Sequence, residues 1–166
     1  RLANRRHLDE FLAEQLRITR RYRRSLGLLV IDIDHFKDVN DRHGHQAGDA
    51  VLKGLGDLLL RQSRVIDHVC RYGGEEFAII LPETGAADAF RNAERLCAEV
   101  ERLGFDAGGV TIRITISIGV AAYPQQSATP EQLIAAADTA LYAAKHAGRN
   151  RASCFGTPPA ERNSAA

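Results

Sequence analysis

The period of the hydrophobic positions changes several times along the chain, and each change marks an element. From Asn4, a candidate N-cap, Leu8, Phe11, Leu12, Leu16 and Ile18 recur with roughly helical spacing. Leu26 to Ile33 is then almost continuously apolar, as in a strand buried on both faces. One or two helical turns over His35–Asp41 lead through a loop at Arg42–His45 into an amphipathic helix. Its stripe is Ala47, Ala50, Val51, Leu55, Leu58 and Leu59. Gly48 and Gly54 weaken that helix, and a glycine kept inside a helix points to close packing. Two β-type runs, Ile66–Cys70 and Ala78–Pro82, flank Arg71-Tyr72-Gly73-Gly74-Glu75-Glu76-Phe77, which reads as a tight hairpin with glycines reaching φ > 0.

Beyond Pro82 and Gly85, Phe90, Ala93, Leu96, Cys97, Val100 and Leu103 give a helix over Ala86–Leu103, and Gly104–Gly109 a turn. Thr111 to Val120 alternates so regularly that one strand is expected, with Ile112, Ile114, Ile116, Ile118 and Val120 on one face. Thr129-Pro130-Glu131-Gln132 opens a last helix, which ends near Gly148 and is followed by a short strand near Arg151–Phe155. The order α-β-α-α-β-β-α-β-α implies an α/β (α+β) sandwich. Its hairpin makes the sheet partly antiparallel, so a ferredoxin-like arrangement suits it better than a doubly wound one.

Composition narrows this to one domain. The 166 residues, 45% apolar, can bury a single core. We expect a domain over 1–155 and a disordered tail over 156–166. A net charge of +1 gives no bulk attraction to nucleic acid. The arginines at 17, 20, 21, 23 and 24 read as a solvated last helical turn that suits the dipole rather than as a nucleic-acid or phosphate patch, since no aromatic residues interleave them. Three scattered cysteines form neither a metal motif nor a disulfide framework, and reduced thiols in a cytoplasmic domain are expected. No apolar run reaches membrane-spanning length, although the full-length protein could be membrane-anchored.

Candidate chemistry sits at strand ends. Carboxylates closing a buried strand are costly unless paired or bound to a cation. Asp32 and Asp34 close the first strand on one face; helix N-capping explains Asp34 better than Asp32. In the hairpin, one of Glu75 and Glu76 is expected to face a site and the other the opposite side. The end of the first strand and the hairpin tip can lie side by side, bringing Asp32 to Glu75. Converging carboxylates suit Mg²⁺ held jointly with substrate phosphates. Lys37, Lys145 and Arg149 could neutralise a polyphosphate, and Asn40 with Asp49 could meet a guanine edge. His43-Gly44-His45 reads as a helix end rather than a zinc pair. The P-loop and the Rossmann glycine pattern are both absent.

Gly73-Gly74-Glu75-Glu76-Phe77 after Arg71-Tyr72 resembles the defining motif of the GGDEF family of diguanylate cyclases, in its GGEEF form. Asn4-Arg5-Arg6, Asp32–Lys37, Asn40-Asp41, Gly44-His45, Gly48-Asp49, Thr115–Val120, Ala137-Asp138, Tyr142, Lys145 and Gly148-Arg149-Asn150 resemble family positions in order, covering nearly all of residues 1–153. The resemblance implies a nucleotidyl cyclase, palm-type mixed sheet flanked by helices, and synthesis of cyclic di-GMP from two GTP. It implies Mg²⁺ (or Mn²⁺), two ions per site, on Asp32, the Ile33 carbonyl and Glu75, with Asp32, Glu75 and Glu76 catalytic and the role of Glu76 open. GTP would meet Phe36, Lys37, Asn40, Asp49, Gly73, Gly74, Lys145 and Arg149. Arg64, Asp67 and Arg95 would form an inhibitory product site, although Arg64-x-x-Asp67 alone also reads as a helix-end charge pair.

It further implies a homodimer for activity, an upstream sensory or receiver domain, and no nucleic-acid partner. A catalytically silent GTP or cyclic di-GMP binding module is the alternative. Two departures stand out. The family's Asp-x-Leu-Thr segment would precede Leu2 and is not in this sequence, and His43 stands where an aromatic residue is common.

Overall fold

The computed structural model describes residues 4–125 and 127–156; most of the expected tail therefore lies outside the described residues. The elements are α1 (Arg5–Tyr22), β1 (Leu26–Ile33), α2 (Phe36–His43), α3 (His45–Gln62), β2 (His68–Arg71), β3 (Glu76–Pro82), α4 (Ala86–Arg102), β4 (Phe105–Asp106), β5 (Thr111–Ile112), β6 (Ile116–Tyr123), α5 (Pro130–His146) and β7 (Arg151–Cys154). α1 starts as its sequence requires, with Asn4 Oδ1 accepting from the His7 N–H at 3.1 Å. α5 does the same, with Thr129 capping the Gln132 N–H at 3.2 Å.

The five-stranded sheet has the order β2-β3-β1-β6-β7. β1 is antiparallel to both β3 and β6, whereas β7 joins β6 in parallel. The first four strands make the ferredoxin-like pattern, and β7 extends it. The apolar run of β1 feeds two cores. Leu29, Ile31 and Ile33 enter the layer with α3 and α4, while Leu26, Leu28 and Val30 enter the layer with α1 and α5. Period two within a fully buried strand is what lets one segment serve both layers. α5 crosses β6 at Gly119, where a Cβ would collide with the Ala137 carbonyl and the Leu141 N–H. That close approach fixes the height of α5 over the sheet.

The single strand expected over Thr111–Val120 is two. β5 pairs with β4 in a separate two-stranded sheet, turning through Gly108 and Gly109 at φ +69° and +90°. Gly104–Gly109 is thus partly strand. Ile112 and Ile114 remain in the core with Ile116, so alternation reported burial correctly but not sheet membership. The packing partner made the difference: Phe105 of β4 lies against Gly54 of α3, where a Cβ would stand 2.7 Å from its ring. β6 itself is buried on both faces, Ser117 included.

Candidate active site

The register lays a polar row across the sheet where β1 ends. Glu76 of β3 faces Asp32 of β1, Asp32 faces Ser117 of β6, and Ser117 faces Arg151 of β7. Asp32 is 6% exposed. Its Oδ2 pairs with Lys145 Nζ at 2.9 Å, from the last turn of α5. Glu75 is anchored to the same strand end, its carbonyl accepting from the Ile33 N–H at 3.4 Å. Both glutamates titrate above the ordinary carboxylate range. Desolvation is the larger cause for each, followed by the charge of Asp32; Lys145 opposes the shift. Both carboxylates thus lie within electrostatic reach of Asp32. β3 begins only at Glu76, so strand alternation does not govern Glu75.

The hairpin tip differs from expectation in one further respect: neither Gly73 nor Gly74 has positive φ. The glycines act through space instead. A Cβ on Gly73 would stand 2.5 Å from Glu76 Oε2, so the bare Cα makes room for that carboxylate. A Cβ on Gly74 would meet nothing within 4 Å, leaving an open approach to the turn. The turn is tied down by Arg71, whose guanidinium donates to the carbonyls of Gly73 (3.3 Å) and Gly74 (2.6 Å), and by the Tyr72 N–H on the Glu76 carbonyl at 2.8 Å.

α2 and α3 carry the other candidates. A Cβ on Gly48 would overlap Asn40 Oδ1, so this helical glycine brings Asn40 and the neighbouring, exposed Asp49 to the α2–α3 junction. Lys37 is exposed. Phe36 is not available as a side chain: its ring is 6% exposed and part of the core. Its backbone begins α2, where the first N–H groups of a helix have no intrahelical partner and the N-cap, His35, supplies no side-chain bond. Asp34 is not the N-cap. It accepts instead from Thr115 just before β6, from Ser117 on β6 and from Asn150 beyond α5. Arg149 is exposed, in the turn directly after α5.

Arg64, Asp67 and Arg95 lie apart from this row. Arg64 Nη2 donates to Asp67 Oδ1 at 2.9 Å and to Thr84 Oγ1 at 2.8 Å, and its backbone N–H donates to Asp67 Oδ2 at 2.7 Å. The Asp67 side chain is almost fully enclosed. Arg95 of α4 reaches Gln62 at the end of α3, two residues before Arg64. The helix-end charge pair is thus real, and Arg95 is delivered to the same corner.

Sequence reasoning left Asp138 and Tyr72 without a role, yet both border the acidic row. Arg5 lies over the Tyr72 ring, 4.8 Å from its centroid, and the three line a cavity of about 490 Å³ between α1, α5 and the hairpin. Desolvation raises the Asp138 pKa against the opposing charge of Arg5. Its spacing was a usable signal, since Asp138 stands two helical turns before Lys145 and shares its side of α5.

Among the described residues no three His, Cys, Asp or Glu side chains gather closely enough to enclose a metal ion alone. The donor chemistry still fits a hard cation with open positions. Burial and the charge of Asp32 raise the proton affinity of Glu75 and Glu76, a strain that positive charge relieves, and phosphates and water complete such sites.

Residues 1–151 match the family model described as diguanylate cyclase, GGDEF domain. Response regulator PleD of Caulobacter vibrioides is 46% identical over 127 residues, covering 75% of this chain and 28% of that protein. Diguanylate cyclase TpbB of Pseudomonas aeruginosa is 40% identical over 149 residues, covering 89% and 34%. The chain therefore spans about a third of the length of these curated relatives. Among solved structures, the GGDEF domain of TpbB superposes with a TM-score of 0.89 at 38% identity, covering 93% of this chain and 90% of that one. The active GGEEF domain of a diguanylate cyclase from Vibrio cholerae gives 0.87 at 32%, covering 95% and 99%. The shared sheet, the GGEEF turn and a match along nearly the whole chain lead to one conclusion: the chain belongs to the GGDEF family of diguanylate cyclase domains.

Proposed function

We propose that this domain is one half of a diguanylate cyclase, holding one GTP and condensing it with the GTP of a second domain. The observation that carries the reading is the Asp32–Lys145 pair with Glu75 and Glu76 crowded beside it. Asn40 and Asp49 offer an amide and a carboxylate to the guanine edge. The N–H groups opening α2, with Lys37, Lys145 and Arg149, offer donors and positive charge to the phosphates. Gly74 leaves space for the nucleotide to pass close to the hairpin.

Asp32, Glu75 and the Ile33 carbonyl would hold Mg²⁺ or Mn²⁺, two ions per site, which supply the charge that activates the 3′-hydroxyl and steadies the reacting phosphate. The 3′-oxygen of one GTP then bonds to the α-phosphorus of the other, the bond to pyrophosphate breaks, and the hydroxyl proton passes to solvent or to Glu76. Two such steps close the ring, so two facing domains are needed. An upstream sensory or receiver domain would act by setting that encounter. Arg64, Asp67 and Arg95 would bind the cyclic di-GMP product and restrain the enzyme. The solved structure of the GGDEF domain of DgcB from Caulobacter crescentus is a complex with c-di-GMP, which lends that ligand support.

Protein incubated at high concentration with GTP and Mg²⁺ is expected to release cyclic di-GMP and pyrophosphate. GTP binding with no product would overturn the enzyme reading in favour of a silent binding module. Arg64→Ala is expected to weaken cyclic di-GMP binding at least tenfold while initial rates persist; unchanged product affinity would remove the inhibitory site.

A further inference from the structure

Asp34 takes no part in the chemistry proposed above, yet it is held by more hydrogen bonds than its neighbour Asp32. It is 5% exposed. Its Oδ1 accepts from Ser117 Oγ at 2.7 Å. Its Oδ2 accepts from Thr115 Oγ1 at 2.7 Å and from the Asn150 backbone N–H at 2.9 Å. None of these donors is a cation. A buried carboxylate costs several kcal/mol unless such bonds compensate, so this arrangement is an expensive way merely to fill space.

What it grips is the turn between α5 and β7. Gly148, Arg149 and Asn150 take φ values of +109°, +61° and +47°, three left-handed residues in succession. Left-handed backbone at a non-glycine residue costs about 1–3 kcal/mol and persists only where the surroundings enforce it. Here they do so at every step. The Arg149 N–H donates to the Ala144 carbonyl at 3.1 Å, and the Arg149 carbonyl accepts from Arg151 Nε at 3.0 Å. Asn150 is held from both ends, its N–H by Asp34 and its Nδ2 by Glu101 Oε1 of α4 at 2.8 Å. The Arg149 side chain, fixed at its base, stays exposed one turn beyond Lys145.

We propose that Asp34 is a positioning residue for the polyphosphate end of the substrate, acting through the Asn150 amide to hold the strained turn that presents Arg149 beside Lys145. Glu101 is the second arm of the same clamp. The two aspartates ending β1 therefore divide the work: Asp32 faces the reacting groups, and Asp34 ties β1 and β6 to the turn that meets the phosphates. This inference rests on the assignment of Arg149 to the phosphates.

The test compares GTP with GMP, which shares the guanine but lacks the distal phosphates. Affinities are measured by calorimetry on the full chain with divalent cations chelated, so no turnover intervenes. Arg149→Ala is expected to weaken GTP about tenfold and leave GMP unchanged. Asp34→Asn should weaken GTP to a similar degree with GMP again unchanged, and the double variant should bind no worse than Arg149→Ala alone. An Asp34→Asn protein with the wild-type GTP-to-GMP ratio, or additive losses in the double variant, would overturn the positioning role. Unchanged GTP binding by Arg149→Ala would instead overturn the phosphate assignment beneath it. Should Asp34→Asn not fold, Ser117→Ala and Thr115→Ala, each removing one donor to the carboxylate, decide the question on the same ratio, each expected to lower it partially.

Discussion

Glu75 illustrates how a side chain proposed for the active site is held at a cost. Its pKa lies above that of an unfolded glutamate, because burial and the charge of Asp32 both disfavour ionisation. Between the two values the folded state binds more protons, so stability falls as pH rises through that window and the penalty is fully present above the folded value. Removing the charge should therefore stabilise the protein. Glu75→Gln is expected to melt at a higher temperature than wild type in chelator and, on the proposed metal assignment, to lack the rise expected of wild type in Mg²⁺. Scanning fluorimetry with and without Mg²⁺ checks both, and a lower melting temperature in chelator would show that repulsion is not what burdens the site. Cys70 is the inert counterpart: desolvation pushes its thiol up to about 11, and no chemistry is drawn from it.

At the scale of elements, the contacts that matter join backbones rather than side-chain tips. Gly119 lets α5 rest on β6, and α5 in turn delivers Lys145 to Asp32. Gly119→Ala would force backbone apart, beyond the ~1–3 kcal/mol usual for overpacking, and urea unfolding should show a loss of at least ~3 kcal/mol. α1 is fixed differently, with Phe11 stacked on His68 of edge strand β2 at 3.3 Å between centroids. Burial and the nearby His7 lower the His68 pKa, against Asp67. An unfolded histidine then takes up a proton first, so stability falls as pH drops from about 6.5 through the folded value. His68→Phe keeps a ring on Phe11 and should flatten the dependence of melting temperature on pH between neutrality and mild acid. An unchanged slope would place that titration elsewhere.

The described molecule is two layers of helices on the five-stranded sheet, with the acidic row at the sheet end where β1 leads into α2 and the Arg64–Asp67 corner beside the opposite end of β3. No helix among the described residues is long and apolar enough to cross a membrane. The proposed need for a facing copy would make turnover second order in protein at low concentration. Specific activity is therefore expected to rise with protein concentration and then level off, which a dilution series of pyrophosphate release would show; constant specific activity across the series would mean that a single domain suffices.

The linear order already contained the elements, the buried β1, the hairpin and the carboxylates at its tip, because burial and turn formation impose local periods that residues display one after another. The glycines inside α3 announced close packing before any contact was visible, and the fold supplied Asn40 and Phe105 as the neighbours. Tertiary structure alone decided the rest. It broke the alternating run at Thr111–Thr115 into two pieces, because Phe105 had a niche on α3 and Thr115 a partner in Asp34. It removed the Phe36 ring to the core and set Glu76 opposite Asp32 across the sheet, with Glu75 just outside the strand and so free of its alternation. It also turned Asp34 from an expected helix cap into the anchor of a turn 116 residues away in sequence. Sequence specifies which groups are costly to bury; only the fold determines which distant donor meets that cost.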